Sequence, residues 1–233
     1  DIAQQCLENA QNLQSGLNTI IQTFDFAASR MQTVLDTLPA SLEFTFLGFD
    51  FSPAPFPDAN TSLGAALEAI GVPMLGLPGS LGCAALLAAS LDEGKWKKVG
   101  FNGLMLPVLE DAVLARRSLE GNLTVRDLLL FSAVCGAGLD TVPLPGDITS
   151  GQIEAVLWDV AVLAQRLNKP LTARLMPLPG KKTGDAVDFN FEFFARGGVM
   201  ALEMSSLRRG LKESNSILVR TRSVREQSPQ SSS

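Results

Sequence analysis

Apolar side chains recur at Leu13, Leu17, Ile20, Ile21, Phe24 and Ala28, a three- and four-residue spacing that lines one face of a helix. Proline is absent before Pro39, so the stretch to about Leu38 predicts one or two amphipathic helices. The period then shortens. In SLEFTFLGFDFS, Leu42, Phe44 and Phe46 alternate with Glu43 and Thr45, which predicts a strand, and the prolines of PAPFPD stop it. Asp50 and Ser52 would be delivered into the loop at its end.

Helical spacing returns in SLGAALEAIG from Ser62 and in SLGCAALLAASLDEG, where Ser80 suits an N-cap and Gly94 a stop. PVLEDAVLARRSLEG predicts a further helix, with Pro107 near its first position, Glu110 and Asp111 in its first turn, and Arg116 and Arg117 near its end. Thr124 and Asp127 form a box-like start for VRDLLLFSAV, and Gly136 suits a left-handed cap that leaves Cys135 at the helix end. ITSGQIEAVLWDVAVLAQRLNKP repeats the pattern between Thr149 or Ser150 and Pro170, and LTARLMPLPGKKTGD reads as a short strand entering a Gly-Lys loop. Helices alternating with short strands predict an α/β fold over residues 1–204. Residues 205–233 are polar, ending SVREQSPQSSS, and predict a disordered tail that buries too little apolar surface to order itself.

Of the 233 residues, 46% are hydrophobic, enough for a sizeable core. The 19 basic and 24 acidic residues leave a net charge of −5, so no basic field attracts a polyanion and no nucleic-acid partner is expected. No window supplies the roughly 18 consecutive apolar residues of a membrane span, and DIAQQCLENAQ lacks a signal-peptide pattern. No membrane partner is therefore expected, and the expected location is cytoplasmic. Cys6, Cys83 and Cys135 form no CxxC pair, which predicts free thiols in a reducing compartment. Histidine is absent. Within this chain, acid–base work falls to carboxylates, lysine or the thiol.

The strings GFDFSPAPFP, VGFNGLMLPVLEDAVLARR, SAVCGAGLDTVPLPGD, LNKPLTARLMPLPGKKTGD and FEFFARGGVMAL resemble successive signatures of the uncharacterised prokaryotic family called domain of unknown function 711, or uncharacterised protein family 0210. The resemblance runs from about Leu42 to Leu202 and, more loosely, over the helical start. It implies a fold like that of pyruvate formate-lyase, an α/β barrel with strands around a central site. It also implies that this chain is the C-terminal half of a longer protein. A half-barrel exposes strand edges, so homo-oligomerisation or association with a missing N-terminal half is expected. Glycyl-radical enzymes of that fold carry an Arg-Val-x-Gly-Tyr context. Here the order is Arg196-Gly197-Gly198-Val199 and tyrosine is absent, so no radical is expected. The family brings no reaction with it.

Cys135 admits two readings: a small buried residue at a helix end, or a reacting group on the stiff loop AVCGAGLDTVPLPGD. The glycines and prolines that follow favour the loop. A helix C-terminus disfavours a thiolate, so reactivity would need a cation, for which Lys181, Lys182, Arg116 and Arg174 are candidates. Asp140 and Asp147 bracket TVPLPG and read as acid–base groups or as turn and capping residues. Asp50 at a strand end and Glu110 at a helix start join them as candidate catalytic carboxylates. Asn102, Arg174, Lys181 and Lys182 are candidate substrate-binding residues. Asp50, Asp140 and Asp185 are candidate ligands for Mg²⁺ or another divalent cation, which takes oxygen donors. Together these side chains predict one central pocket for a small anionic metabolite, either in an enzyme or in a protein that only binds it.

Overall fold

The computed structural model describes residues 2–39, 41, 43–203 and 219–220. Leu42 and residues 204–218 and 221–233, which hold nearly all of the expected tail, lie outside the described residues. Asn12 divides the opening helical stretch into α1 (Ile2–Glu8) and α2 (Leu13–Asp36). Its side chain accepts the Ser15 N–H at 2.9 Å while its own N–H donates to the Ser15 hydroxyl, so the second helix starts at a reciprocal cap. Thr124 with Asp127 and Thr149 with Gln152 start α6 (Val125–Ser132) and α7 (Ser150–Leu167) in the same way. Between α2 and α6 in the chain come α3 (Leu63–Ile70), α4 (Ser80–Asp92) and α5 (Ala112–Leu119). The last of these begins later than Pro107 predicted, because residues 108–110 form a turn and Asp111 is the N-cap.

Four extended segments lie side by side in chain order. Phe49 N–H donates to Lys97 O, Val99 N–H to Phe49 O and Met105 N–H to Pro53 O, which sets 49–53 parallel to 97–105. Gly136 N–H donates to Leu104 O at 2.8 Å and Val108 N–H to Asp140 O at 3.0 Å, which sets 104–109 beside β1 (Gly138–Pro145). The strand β1 pairs in parallel with β2 (Thr172–Leu178), from Gly138↔Thr172 to Pro145↔Leu178. A short antiparallel pair, β3 (Ala186–Val187) and β4 (Gly197–Gly198), follows. This is a mixed α/β arrangement, and the described strands do not close into a barrel. The strand expected in SLEFTFLGFDFS is reduced to one bridge, Phe49↔Lys98, since no second neighbour among the described residues supplies a ladder. Its aromatic rings are anchored instead: Phe51 stacks on Phe24 of α2 at 5.2 Å and meets Trp96 edge-on at 5.2 Å.

The core runs between the helices and β1. Leu67, Leu87, Leu91, Leu114, Phe131, Leu139 and Leu144 are buried in one continuous cluster. Asp111 is a fully buried carboxylate at its edge. It accepts the Ser62 hydroxyl at 2.7 Å, Gly64 N–H at 3.0 Å, Val113 N–H at 2.9 Å and Leu114 N–H at 3.0 Å. One side chain thereby caps α5 and ties it to the start of α3, whose own N-cap is Ser62. Burial pushes the Asp111 carboxyl up in pKa, against the pull of the four donors. Gly64 is required at this junction, because a Cβ there would come within 2.8 Å of Val113.

Replacing Asp111 with alanine strips acceptors from two helix starts and leaves buried donors unmatched. Asp111→Ala should lower unfolding stability by about 2–4 kcal/mol in urea titrations. A loss below about 0.5 kcal/mol would mean that the two helix starts do not depend on it.

Candidate functional site

The candidate residues separate into three groups along the length of the parallel segments. At the N-terminal end of β1, the loop 100–103 lies against 134–136, and a Cβ on Gly103 would come within 3.1 Å of Gly136. Asp50 shapes that loop: it accepts Phe101 N–H and Asn102 N–H at 3.0 Å each, Ser52 N–H at 3.1 Å and the Ser52 hydroxyl at 2.6 Å. Partial burial pushes its carboxyl up, but these hydrogen bonds outweigh it and hold Asp50 below the usual carboxylate range. Asn102 adopts φ 45°. Its amide donates to Phe49 O and Val99 O and accepts from Phe51 N–H and Trp96 Nε1, so all of its side-chain capacity is used within the protein.

Cys135 stands next to this loop, yet only 2% of its surface is exposed and it belongs to the main core. Its sulfur accepts Gly138 N–H at 3.3 Å. The geometry thus places Cys135 as a core residue, against the loop reading that its glycines and prolines favoured. The cation beside it is Lys169, whose ammonium donates to Cys135 O at 2.6 Å. Burial pushes the pKa of Lys169 down, and the neighbouring Cys135 side chain partly offsets this.

Halfway along β1, the register shifts between Leu139↔Ala173 and Val142↔Leu175. Asp140 and Thr141 therefore stand opposite the single residue Arg174, a β-bulge. Thr141 sits at φ 44°, a conformation that a branched side chain holds only under constraint. The constraint is visible: Thr141 Oγ1 accepts Leu109 N–H at 3.1 Å, and Asp140 O accepts Val108 N–H. The bulge aims Asp140 at Arg174. The guanidinium binds Asp140 through Nε and Glu110 through Nη2, the latter at 2.6 Å. Three expected site residues from three separate segments meet here, and the two carboxylates raise the pKa of Arg174, the Asp140 hydrogen bond most.

The third group lies past the C-terminal ends of β1 and β2. Gly146 N–H donates to Lys181 O at 3.0 Å, joining the two loops. Lys182 N–H donates to Asp185 at 2.7 Å, and Lys181 Nζ to Ala186 O at 3.0 Å. Asp147, Thr149, Lys182 and Thr183 line a cavity of about 490 Å³ that also touches Gln152 in the first turn of α7.

A single pocket is therefore not assembled. Cys135 and Lys181 lie at opposite ends of the eight-residue strand β1, about 25 Å apart along it. The proposed metal ligands are divided as well: Asp50, Asp140 and Asp185 belong one to each group, and among the described residues no cluster of three His, Cys, Asp or Glu could hold a metal ion. Two residues that matter here, Lys169 and Thr141, were not legible as such. A lysine before proline and a threonine in an apolar strand carry no local signal, because their roles arise from contacts with distant segments.

The family model described as Uncharacterised ACR (DUF711) matches residues 1–196. A UPF0210 protein of Pyrobaculum aerophilum is 40% identical over 164 residues, covering 69% of this chain and 36% of the relative. A UPF0210 protein of Lacticaseibacillus casei is 33% identical over 189 residues, covering 79% of this chain and 41% of the relative. The chain thus spans well under half the length of these curated relatives. No helix among the described residues is long and apolar enough to cross a membrane.

Two measurements check the N-terminal group. Cys135→Ala should cost about 1 kcal/mol of stability and Cys135→Ser more, since the latter buries a hydroxyl. The native thiol should resist iodoacetamide until the protein unfolds, and rapid native alkylation would contradict its placement. Asp50 has a depressed pKa in the folded state, so its stabilisation is complete above the unfolded value of about 3.9 and is lost as pH falls through the folded one. Asp50→Asn should therefore flatten the acid limb of the stability profile and leave its slope above pH 6 unchanged.

Proposed function

We propose, for a chain that belongs to the Uncharacterised ACR (DUF711) family, that it forms part of a pyruvate formate-lyase-like α/β barrel that binds a small anionic metabolite at the C-terminal ends of its strands. The parallel, chain-ordered neighbours 49–53, 97–109, β1 and β2 support the barrel reading. The observation that carries the binding site is that Lys182, Thr183 and Asp147 share one cavity with the start of an 18-residue helix. The N-cap Thr149 and Gln152 of the first turn line that cavity, and a helix start favours negative charge. Lys182 adds a full positive charge. Strand C-termini are where open α/β sheets place their ligands.

Within that cavity Asp147 is the group suited to proton transfer. It is exposed and makes no hydrogen bond or ion pair with a described residue, whereas Asp50, Glu110 and Asp140 are each engaged. In a catalytic protein, Asp147 would exchange a proton with the bound metabolite while Lys182 stabilises the negative charge that develops. The engagement of the other carboxylates supports a second reading, in which the site binds without turnover and serves regulation.

Calorimetry of the 233-residue chain against small carboxylates and sugar phosphates, with and without Mg²⁺, tests the site. At least one anion should bind, and Lys182→Gln should weaken it tenfold or more. Equal binding by this variant, or no binding by any anion, would overturn the proposal. Deuterium uptake from solvent into the bound anion then separates the two readings: uptake abolished by Asp147→Asn with binding retained marks an enzyme, and absence of uptake marks a binding protein.

A further inference from the structure

At the other end of the strands, a separate cavity of about 250 Å³ opens between the end of α4, the loop 100–103, the segment 134–136 and Lys169–Pro170. Gly100, Gly103 and Gly136 line it, and the backbones of Gly103 and Gly136 pack closely there. Its apolar surface comes from Ala88, Phe101, Val134 and Pro170. Two groups of opposite charge line different walls. Asp92, at the last position of α4, is exposed and its carboxylate accepts no hydrogen bond from a described residue. Lys169 is half-buried, and its ammonium spends one of three N–H groups on Cys135 O.

Two other nearby charged groups are hydrogen-bonded within the protein. Asp50 gives its oxygens to Ser52, Phe101 and Asn102, and Lys98 caps the end of α4 through Asp92 O and Gly94 O. An isolated anion in this cavity would meet Lys169 but also the unpaired Asp92. An isolated cation would meet the reverse. A ligand that carries both charges on one small frame satisfies both walls, and a partly desolvated charge needs such a partner.

We propose that this cavity binds a small apolar α-amino acid as its zwitterion, with the carboxylate on Lys169, the ammonium on Asp92 and the side chain against Ala88, Val134 and Pro170. The site is independent of the anion cavity at Lys182, which lies beyond the far end of β1. The volume of about 250 Å³ has room for alanine or valine.

Calorimetry with L-alanine, L-valine, propionate and ethylamine tests this on the full chain carrying Lys182→Gln, so that anion binding at the other cavity does not contribute. L-Alanine or L-valine should bind, while propionate and ethylamine should bind at least tenfold more weakly. Lys169→Gln and Asp92→Asn should each reduce binding tenfold or more, whereas Lys182→Gln should leave it unchanged. Failure of both L-alanine and L-valine to bind, or propionate or ethylamine binding as tightly as L-alanine, would overturn the proposal. So would full binding by either variant at the cavity.

Discussion

Parallel pairing in chain order is the constraint on which the remaining structure depends. Because 49–53, 97–109, β1 and β2 all run the same way, every residue that precedes a segment is carried to one end of the layer and every residue that follows it to the other. Parallel neighbours need crossover connections, and the helices supply them, α3 to α6 within the first crossovers and α7 between β1 and β2. The signature strings therefore cannot meet at one point. Their glycine-rich starts, around Gly100, Gly103 and Gly136, gather at one end, and their proline-bearing exits, around Pro145 and Pro179, gather at the other. One departure from regular pairing, the bulge at Asp140 and Thr141, turns a strand carboxylate towards Arg174 midway between.

Several acidic side chains are consumed in holding this layout. Asp111 joins two helix starts, Asp50 fixes the loop after Val99, and Glu68 binds Arg117 through two hydrogen bonds of 2.8 and 3.0 Å. The Asp111 and Asp50 contacts are charge-assisted bonds to backbone donors that would otherwise be unmatched, and the Glu68–Arg117 pair joins two side chains. Asp147 and Asp92 lack such duties among the described residues and sit in the two cavities instead.

The helices were legible because their signals are local. Thr124 with Asp127, and Thr149 followed three residues later by Gln152, specify their helix starts within one turn. The strand β2 was legible from LTARLMPL, and the lysine pair from its glycine turn. The strand in SLEFTFLGFDFS was over-read, since alternation reports a two-faced segment but not whether a partner exists to complete a ladder. Site assembly was the least legible part. Arg174, Asp140 and Glu110 come together through a register shift of one residue, and Lys169 reaches Cys135 across 34 positions. Neither event leaves a trace in the spacing of the residues concerned.

If the two ends of the parallel layer carry chemically different sites, amide chemical-shift mapping of the isotope-labelled chain during titration with inorganic phosphate should separate them. Shifts confined to Asp147, Thr149, Gln152, Lys182 and Thr183 at the C-terminal end are expected. Shifts centred instead on residues 100–103 and 134–136 would contradict that separation.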